Sequence, residues 1–278
     1  MLFGAHVSIA GGLSNAPLNA AKIGCEVFQM FTRSPQGGWE PPCDQKTAVE
    51  FLANAKKAKQ KEWYVHTPYF INFASASPRI KHASITVVRE ELERASLLKA
   101  KYLMTHLGSY KDLGKEKGYA QLVDSLAEML DGYKGITQFL IEISAGSGEI
   151  IGDTFEEVAE IIHHPKLQKY KIGVCYDTQH GFASGYDIRT PQAVDETLSK
   201  FDKIIGLDRF KMSHCNDSKT EFGSHKDRHA HIGEGLIGLS GFKALVANKK
   251  MEKINLVMET ESDKVEEDIK ILKKIRGK

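Results

Sequence analysis

Short apolar runs recur along the chain at intervals too regular for chance packing. They read LFGAHVS (2–8), CEVFQMF (25–31), EWYVHT (62–67), KYLMTH (101–106), FLIEIS (139–144), KIGVCYDT (171–178), FKMSH (210–214) and NLVMETE (255–261). Each is four to eight residues long and rich in β-branched and aromatic residues, which predicts eight strands. The runs are nearly continuous in apolar character rather than alternating, as expected of strands covered on both faces.

Amphipathic stretches separate the runs. Residues 45–60 carry Val49, Leu52 and Ala53 at helical spacing. A helix over 79–99 follows SASPR, which offers a Ser cap and a Pro in the first turn. A third, over 153–163, opens with Thr154-x-x-Glu157, a capping-box spacing, and the last lies near 264–276. Strict alternation of strand and helix predicts a parallel sheet, and eight units predict closure into an α/β fold of the (β/α)8 TIM barrel type. No composition shift or Pro/Gly linker divides residues 1–278, so one domain is expected. The longest predicted loop is 215–238.

Composition narrows the function. The net charge is +2 with neutral histidines, so no global basic field draws the chain to a polyanion. An anionic partner would have to be attracted locally. The four cysteines form no C-x-x-C pair, and Cys25 and Cys175 fall in apolar runs, which points to core thiols and a reducing, cytoplasmic setting. No apolar run is long enough for a membrane span, and LFGAHVS lacks the features of a signal peptide.

The chemistry lies at the strand ends, where barrel enzymes build their active sites. The third to eighth predicted strands end in His66, His106, Glu142, Asp177, His214 and Glu259. Any one of these alone is more often a hydrogen-bonded core or rim residue. Six in succession favour a metal site. His180 follows Asp177 by three residues, so a helical turn would aim both inward, and Asp227-x-His229 puts two further ligand types on one face of an extended loop. The set combines five imidazoles with four carboxylates, which suits zinc best, with manganese or iron as alternatives at one position. Nine ligands exceed the needs of one tetrahedral ion and suit two or three ions with a bridging carboxylate, the arrangement that hydrolyses phosphate esters.

These residues resemble the endonuclease IV family of apurinic/apyrimidinic endonucleases nearly end to end. The similarity is carried by GAHVSIAGGL, FQMFTRSP, HTPYFIN, THLGSY, IEISAGSG, GVCYDTQHGFASGYD, HCNDSK, DRHAHIGEGLIG and LVMETE, with DTQHGFASGYD and DRHAHIGEG the most specific. The resemblance implies three zinc ions. His66, His106 and Glu142 would hold the first. Glu142 would bridge to a second, completed by Asp177, His214 and Glu259. His180, Asp227 and His229 would hold the third. It implies that Glu142 and Glu259 serve catalysis, that the phosphodiester 5′ to an abasic site is cut to leave a 3′-hydroxyl, and that blocked 3′ ends are trimmed. The partner would be damaged double-stranded DNA, bound by a monomer with no obligate protein partner and no membrane.

The family inserts loop side chains at the lesion, and here Tyr69 and Phe70 would form the wedge, with Arg228 and nearby lysines (Lys211, Lys219, Lys226) as candidate phosphate contacts. Many relatives carry an Arg before the Trp of the loop after strand two. This chain has Gln36, Gly37 and Gly38 before Trp39, and the nearest basic residue is Arg33. Ile143 after Glu142 and Leu107 in HLG are further departures, neither at a ligand. His6 and His231 are candidate partners of the ligands or plain structural histidines. SAGSGEIIG misses the spacing of a dinucleotide-binding loop. Two rivals remain. A one-metal sugar isomerase of the xylose-isomerase type would need only Glu142, Asp177, His214 and Glu259. A catalytically dead lesion binder would need no complete ligand set.

Overall fold

The structure, a computed structural model, describes residues 1–38 and 43–277, so Trp39 lies outside the described residues. Its strands are β1 (Phe3–His6), β2 (Val27–Met30), β3 (Trp63–His66), β4 (Tyr102–Thr105), β5 (Gln138–Glu142), β6 (Gly173–Asp177), β7 (Phe210–His214), β8 (Asp217–Ser218), β9 (His229–Ala230) and β10 (Asn255–Met258). The helices are α1 (Ala16–Lys22), α2 (Gln45–Lys57), α3 (Pro78–Leu97), α4 (Lys115–Leu130), α5 (Phe155–His163), α6 (Thr178–Ala183), α7 (Pro191–Ile204), α8 (Gly238–Ala247) and α9 (Val265–Arg276). All eight predicted strands form, and they close in the order β1-β10-β7-β6-β5-β4-β3-β2 with every pair parallel. The predicted loop after β7 is not featureless: β8 and β9 pair antiparallel within it, Asp217 opposite Ala230 and Ser218 opposite His229.

Two apolar layers hold the barrel. The larger lies between strands and helices, where Phe28, Phe51, Phe155, Phe201 and Leu92 are fully buried. The smaller fills the barrel interior with Val27, Tyr64, Tyr102, Met104, Leu140, Cys175, Met212 and Val257. Tyr64 and Tyr102 stack with ring centroids 5.6 Å apart at its lower end, and the Tyr64 hydroxyl donates to Glu62. The interior layer is the floor on which the polar end of the barrel rests.

Local signals differ in detail from their expected form. Thr154 caps α5 by accepting the Glu157 N–H at 3.2 Å, but the Glu157 carboxylate turns to the Gly152 N–H (2.7 Å) instead of closing the capping box. Ser77 stands at the cap of α3 without a side-chain cap bond, and Pro78 begins the helix. Helix α3 also grips the loop after β2. Its buried Glu91 accepts from Arg33 Nε at 2.7 Å and from the Thr32 hydroxyl, and Arg33 donates again to Glu90. Among the described residues no helix is long and apolar enough to cross a membrane, and all four cysteines are free thiols.

Candidate metal centre

Successive side chains on a strand point to opposite faces, so inward positions recur every second residue. Two residues above the apolar floor, each strand therefore presents one side chain to the barrel axis. From Leu140 the step leads to Glu142, from Cys175 to Asp177, from Met212 to His214 and from Val257 to Glu259. The same step gives His66 above Tyr64, His106 above Met104 and Gln29 above Val27. His6 of β1 completes the ring. Six of these eight were singled out in the sequence as ligands and His6 as a candidate partner of them, and a cleft of about 400 Å³ opens above them, with Tyr69 at its rim.

The ligand types fall into three groups, each with one ligand atom per residue and all those atoms within 4.8 Å of one another. His66, His106 and Glu142 form one. Glu142, Asp177, His214 and Glu259 form the second, so Glu142 belongs to both. Asp177, His180 and His229 form the third, and Asp227 closes on the same imidazoles, 3.4 Å from His180 Nε2 and 3.3 Å from His229 Nε2. The helical turn expected after β6 is α6: the Asp177 carboxylate caps it by accepting the His180 N–H at 2.9 Å.

Each histidine turns one ring nitrogen to the centre and engages the other elsewhere, the pattern that prepares imidazole to ligate. His66 Nδ1 lies 2.7 Å from the Thr67 carbonyl, leaving Nε2 toward Glu142 at 2.9 Å. His180 Nδ1 meets the Ile143 carbonyl at 2.9 Å. His214 is reversed, with Nε2 on Gln29 Oε1 (2.7 Å) and Nδ1 toward Glu142 (2.9 Å) and Glu259 (3.2 Å). His106 and His229 make longer contacts of 3.4 Å, to Ser144 Oγ and the Glu259 carbonyl. Five borderline-soft nitrogens and four hard oxygens, most of them buried or half-buried with Asp227 exposed at the rim, fit divalent transition ions.

Two of the residues that orient this set escaped the sequence reading. Gln29 Nε2 donates to Glu259 Oε1 at 2.6 Å and faces His6 Nδ1 at 3.0 Å, while its oxygen takes His214. Asn216 donates to Asp177 Oδ2 at 2.6 Å and accepts the Glu259 N–H at 2.8 Å. Amides are not ligand types, so only the two-residue step above Val27 could have singled out Gln29. His6 joins the ring, whereas His231 bonds Asp268 and Asp263 on the side of α9. Lys211 is a correction: it sits at the opposite end of β7, with its ammonium on the Asp208 carbonyl, and not in the loop cluster. Lys219 pairs with Glu261 at 3.2 Å, while Arg228 is exposed beside Asp227.

A family model described as xylose isomerase-like TIM barrel matches residues 17–275. A protein of Halothermothrix orenii named "Probable endonuclease 4" is 38% identical, over 94% of this chain and 93% of its own length. The chain belongs to the endonuclease IV family. The crystal structure of endonuclease IV from Thermus thermophilus superposes with a TM-score of 0.86 at 26% identity, covering 99% of this chain and 98% of that one. A D-tagatose 3-epimerase-like protein, 20% identical with a TM-score of 0.74, shares the fold alone.

Without ions the endonuclease IV ring is a network of charged pairs. Burial alone would raise the Glu142 carboxyl, but the facing His106, His214 and His180 outweigh it and hold it well below the usual range. Burial likewise opposes protonation of His180 and His214. For His180, Asp177, Asp227 and Glu142 outweigh it, and for His214, Cys175, Glu259 and Glu142 do, so both rise well above the ordinary value. Burial, with His66 and His214 nearby, pushes His6 down to about 3, which suits its role as acceptor from Gln29. Asp227 is held at about 2, burial being outweighed by His180 and His229. Against its burial, Glu142 raises His66 as well, so three imidazoles of the ring are biased toward their protonated forms until an ion displaces the protons. Zinc titration of the metal-free protein near pH 7, in buffers of different ionisation heat, should therefore show net proton release. The affinity should fall as pH is lowered from about 8 to about 6. Uptake with no proton release and no pH dependence would refute this description of the pocket.

Proposed function

We propose that this chain is a zinc-dependent apurinic/apyrimidinic endonuclease of DNA repair. It hydrolyses the phosphodiester 5′ to an abasic site, leaving a 3′-hydroxyl, and trims blocked 3′ ends. The observation that carries this reading is the sharing of Glu142 between two ligand groups, with a third group alongside. Five of the nine ligand types (His66, His106, His180, Asp227 and His229) would be idle in a one-metal sugar isomerase. Four free thiols agree with a cytoplasmic enzyme.

Three ions are assigned, held by His66, His106 and Glu142, by Glu142, Asp177, His214 and Glu259, and by His180, Asp227 and His229. When bound, they supply Lewis acidity and make water a competent nucleophile at neutral pH. Glu142 sets the spacing of the first two positions and Glu259, tied to Gln29, fixes the second. The apolar floor of the barrel excludes water from below, so the scissile phosphate enters from the open cleft. Arg228, exposed on the rim, contacts the DNA backbone and neutralises a phosphate there.

The two wedge residues stand differently. Tyr69 is 71% exposed, edge-on to Phe31 with centroids 5.3 Å apart, and its N–H donates to the Pro35 carbonyl at 3.1 Å. Phe70 is half-buried against Gly37, where a Cβ would lie 3.3 Å from its ring. Tyr69 is thus the inserting side chain and Phe70 its support, and the glycine in the loop after β2 makes room for that support. Arg33 does not stand in for the missing arginine, because Glu90 and Glu91 hold its guanidinium at 2.8 and 2.7 Å.

Nicking of a duplex bearing one abasic site tests the reaction. Chelator should abolish it and zinc should restore it. Glu142→Gln should lower both bound metal and nicking in a protein that unfolds like the wild type. Nicking at the wild-type rate by that variant, or in chelator, would defeat the proposal.

Replacing Tyr69 and Phe70 together by Ala should leave the metal content intact. It should weaken cleavage at an internal abasic site by about 2–3 kcal/mol, the scale of unstacking one base step. Removal of a 3′-terminal phosphate, measured at the same salt because phosphate contacts are salt-dependent, should suffer less. Equal losses on both substrates would end the wedge assignment.

A further inference from the structure

The run HIGEGLIG, residues 231–238, begins within one of the most specific motifs of the chain, DRHAHIGEG, yet none of its side chains belongs to the ligand groups of the metal centre. Its backbone instead folds around a single carboxylate. Asp217 of β8 is completely buried. Its Oδ2 accepts the N–H groups of Gly233 and Gly235, both at 3.0 Å, and its Oδ1 accepts those of Ile237 (2.9 Å) and Ser218 (2.8 Å). The Gly238 N–H lies 3.3 and 3.2 Å from the two oxygens. Converging backbone N–H groups of this kind make an anion-binding nest, here filled by the chain's own side chain.

The sequence of the run follows from that packing. At Gly235 a Cβ would lie 2.5 Å from the Ser218 carbonyl oxygen and 2.6 Å from Asp217 Oδ1, so only glycine lets the backbone approach. A second buried carboxylate grips the start of the run. Asp268 of α9 accepts the Ile232 N–H and His231 Nδ1, both at 2.8 Å.

What this clamp controls follows from where the ligands sit. Seven of the nine ligand types stand on barrel strands, just beyond them or, as His180, in α6. Asp227 and His229 alone come from the loop after β7. The β8–β9 ribbon that carries His229 is only two residues on each side, too short to hold its place unaided. Asp217 lies directly opposite Ala230, the neighbour of His229, and ties that ribbon to the returning chain.

We propose that Asp217 is a positioning residue for the third ion. By gathering the 233–238 backbone it fixes the ribbon that bears His229 and closes the loop that bears Asp227, and so sets occupancy of that position while leaving the other two alone. This rests on the three-ion reading of the centre.

The test uses the full chain with Asp217→Asn and Gly235→Ala, and Glu234→Gln as an exposed control in the same run. Asn keeps the shape but replaces one acceptor oxygen with an NH2 group that faces N–H donors. After chelation, each protein is titrated with zinc and its amide exchange is measured. Both variants should retain two ions at wild-type affinity and bind the third about 10- to 100-fold more weakly, the usual effect of removing a group that orients ligands. Amides 229–238 should exchange faster, and Glu234→Gln should match the wild type. Three ions at wild-type affinity in both variants would overturn the proposal. Parallel loss of all three would also overturn it, assigning Asp217 to the stability of the barrel as a whole. A wild type that takes fewer than three ions would defeat the three-ion reading itself, and the proposal with it.

Discussion

Glu142 ends β5 with none of its surface exposed, one step above a barrel interior that is apolar. A buried carboxylate is strongly unfavourable unless charges and hydrogen bonds surround it. Here His66 and His214 meet its two oxygens at 2.9 Å, and His106 and His180 follow at 3.6 and 3.4 Å. Those imidazoles need partners in turn, which are Gln29, the Thr67 and Ile143 carbonyls, Ser144 Oγ and the Asp227 carboxylate. The polar ring is therefore built outward from one anion. Divalent ions held by these ligands would offset the cost of the charge cluster.

The closed barrel makes this possible. Parallel strands of similar length bring the same step of the pleat to one level, so eight separate segments each deliver one residue to the axis. Helices between strands return the chain and cover the barrel, and the loop after β3 is tied to the loop after β2 through Tyr69 and Pro35. Sugar epimerase-like proteins share the architecture, and Glu142, Asp177, His214 and Glu259 alone would serve a single ion. The added histidines at the ends of β3 and β4, and the ribbon after β7, distinguish this chain from that plan.

Strands and ligand types were legible because both depend on local rules. An apolar run bounded by polar residues reads as a strand whatever its neighbours, and a carboxylate or imidazole at its end is conspicuous. Residues whose role depends on a distant partner were not legible. Gln29 acts on His214, 185 positions away, and Asn216 joins Asp177 to Glu259. Glu157 and Lys211 show that local contacts can also be misread, since each turns to a nearby backbone group, the Gly152 N–H and the Asp208 carbonyl, instead of the capping box and the phosphate expected of them. Arg33 looked available for DNA until its buried carboxylate, Glu91, came from a helix 58 positions on.

The most direct test of the account is a crystal structure of the zinc-loaded protein with anomalous scattering measured at the zinc edge. The account predicts three peaks: one among His66, His106 and Glu142, one among Glu142, Asp177, His214 and Glu259, and one among His180, Asp227 and His229, with Glu142 contacting the first two. A single peak confined to Glu142, Asp177, His214 and Glu259 would contradict it and favour a one-metal isomerase.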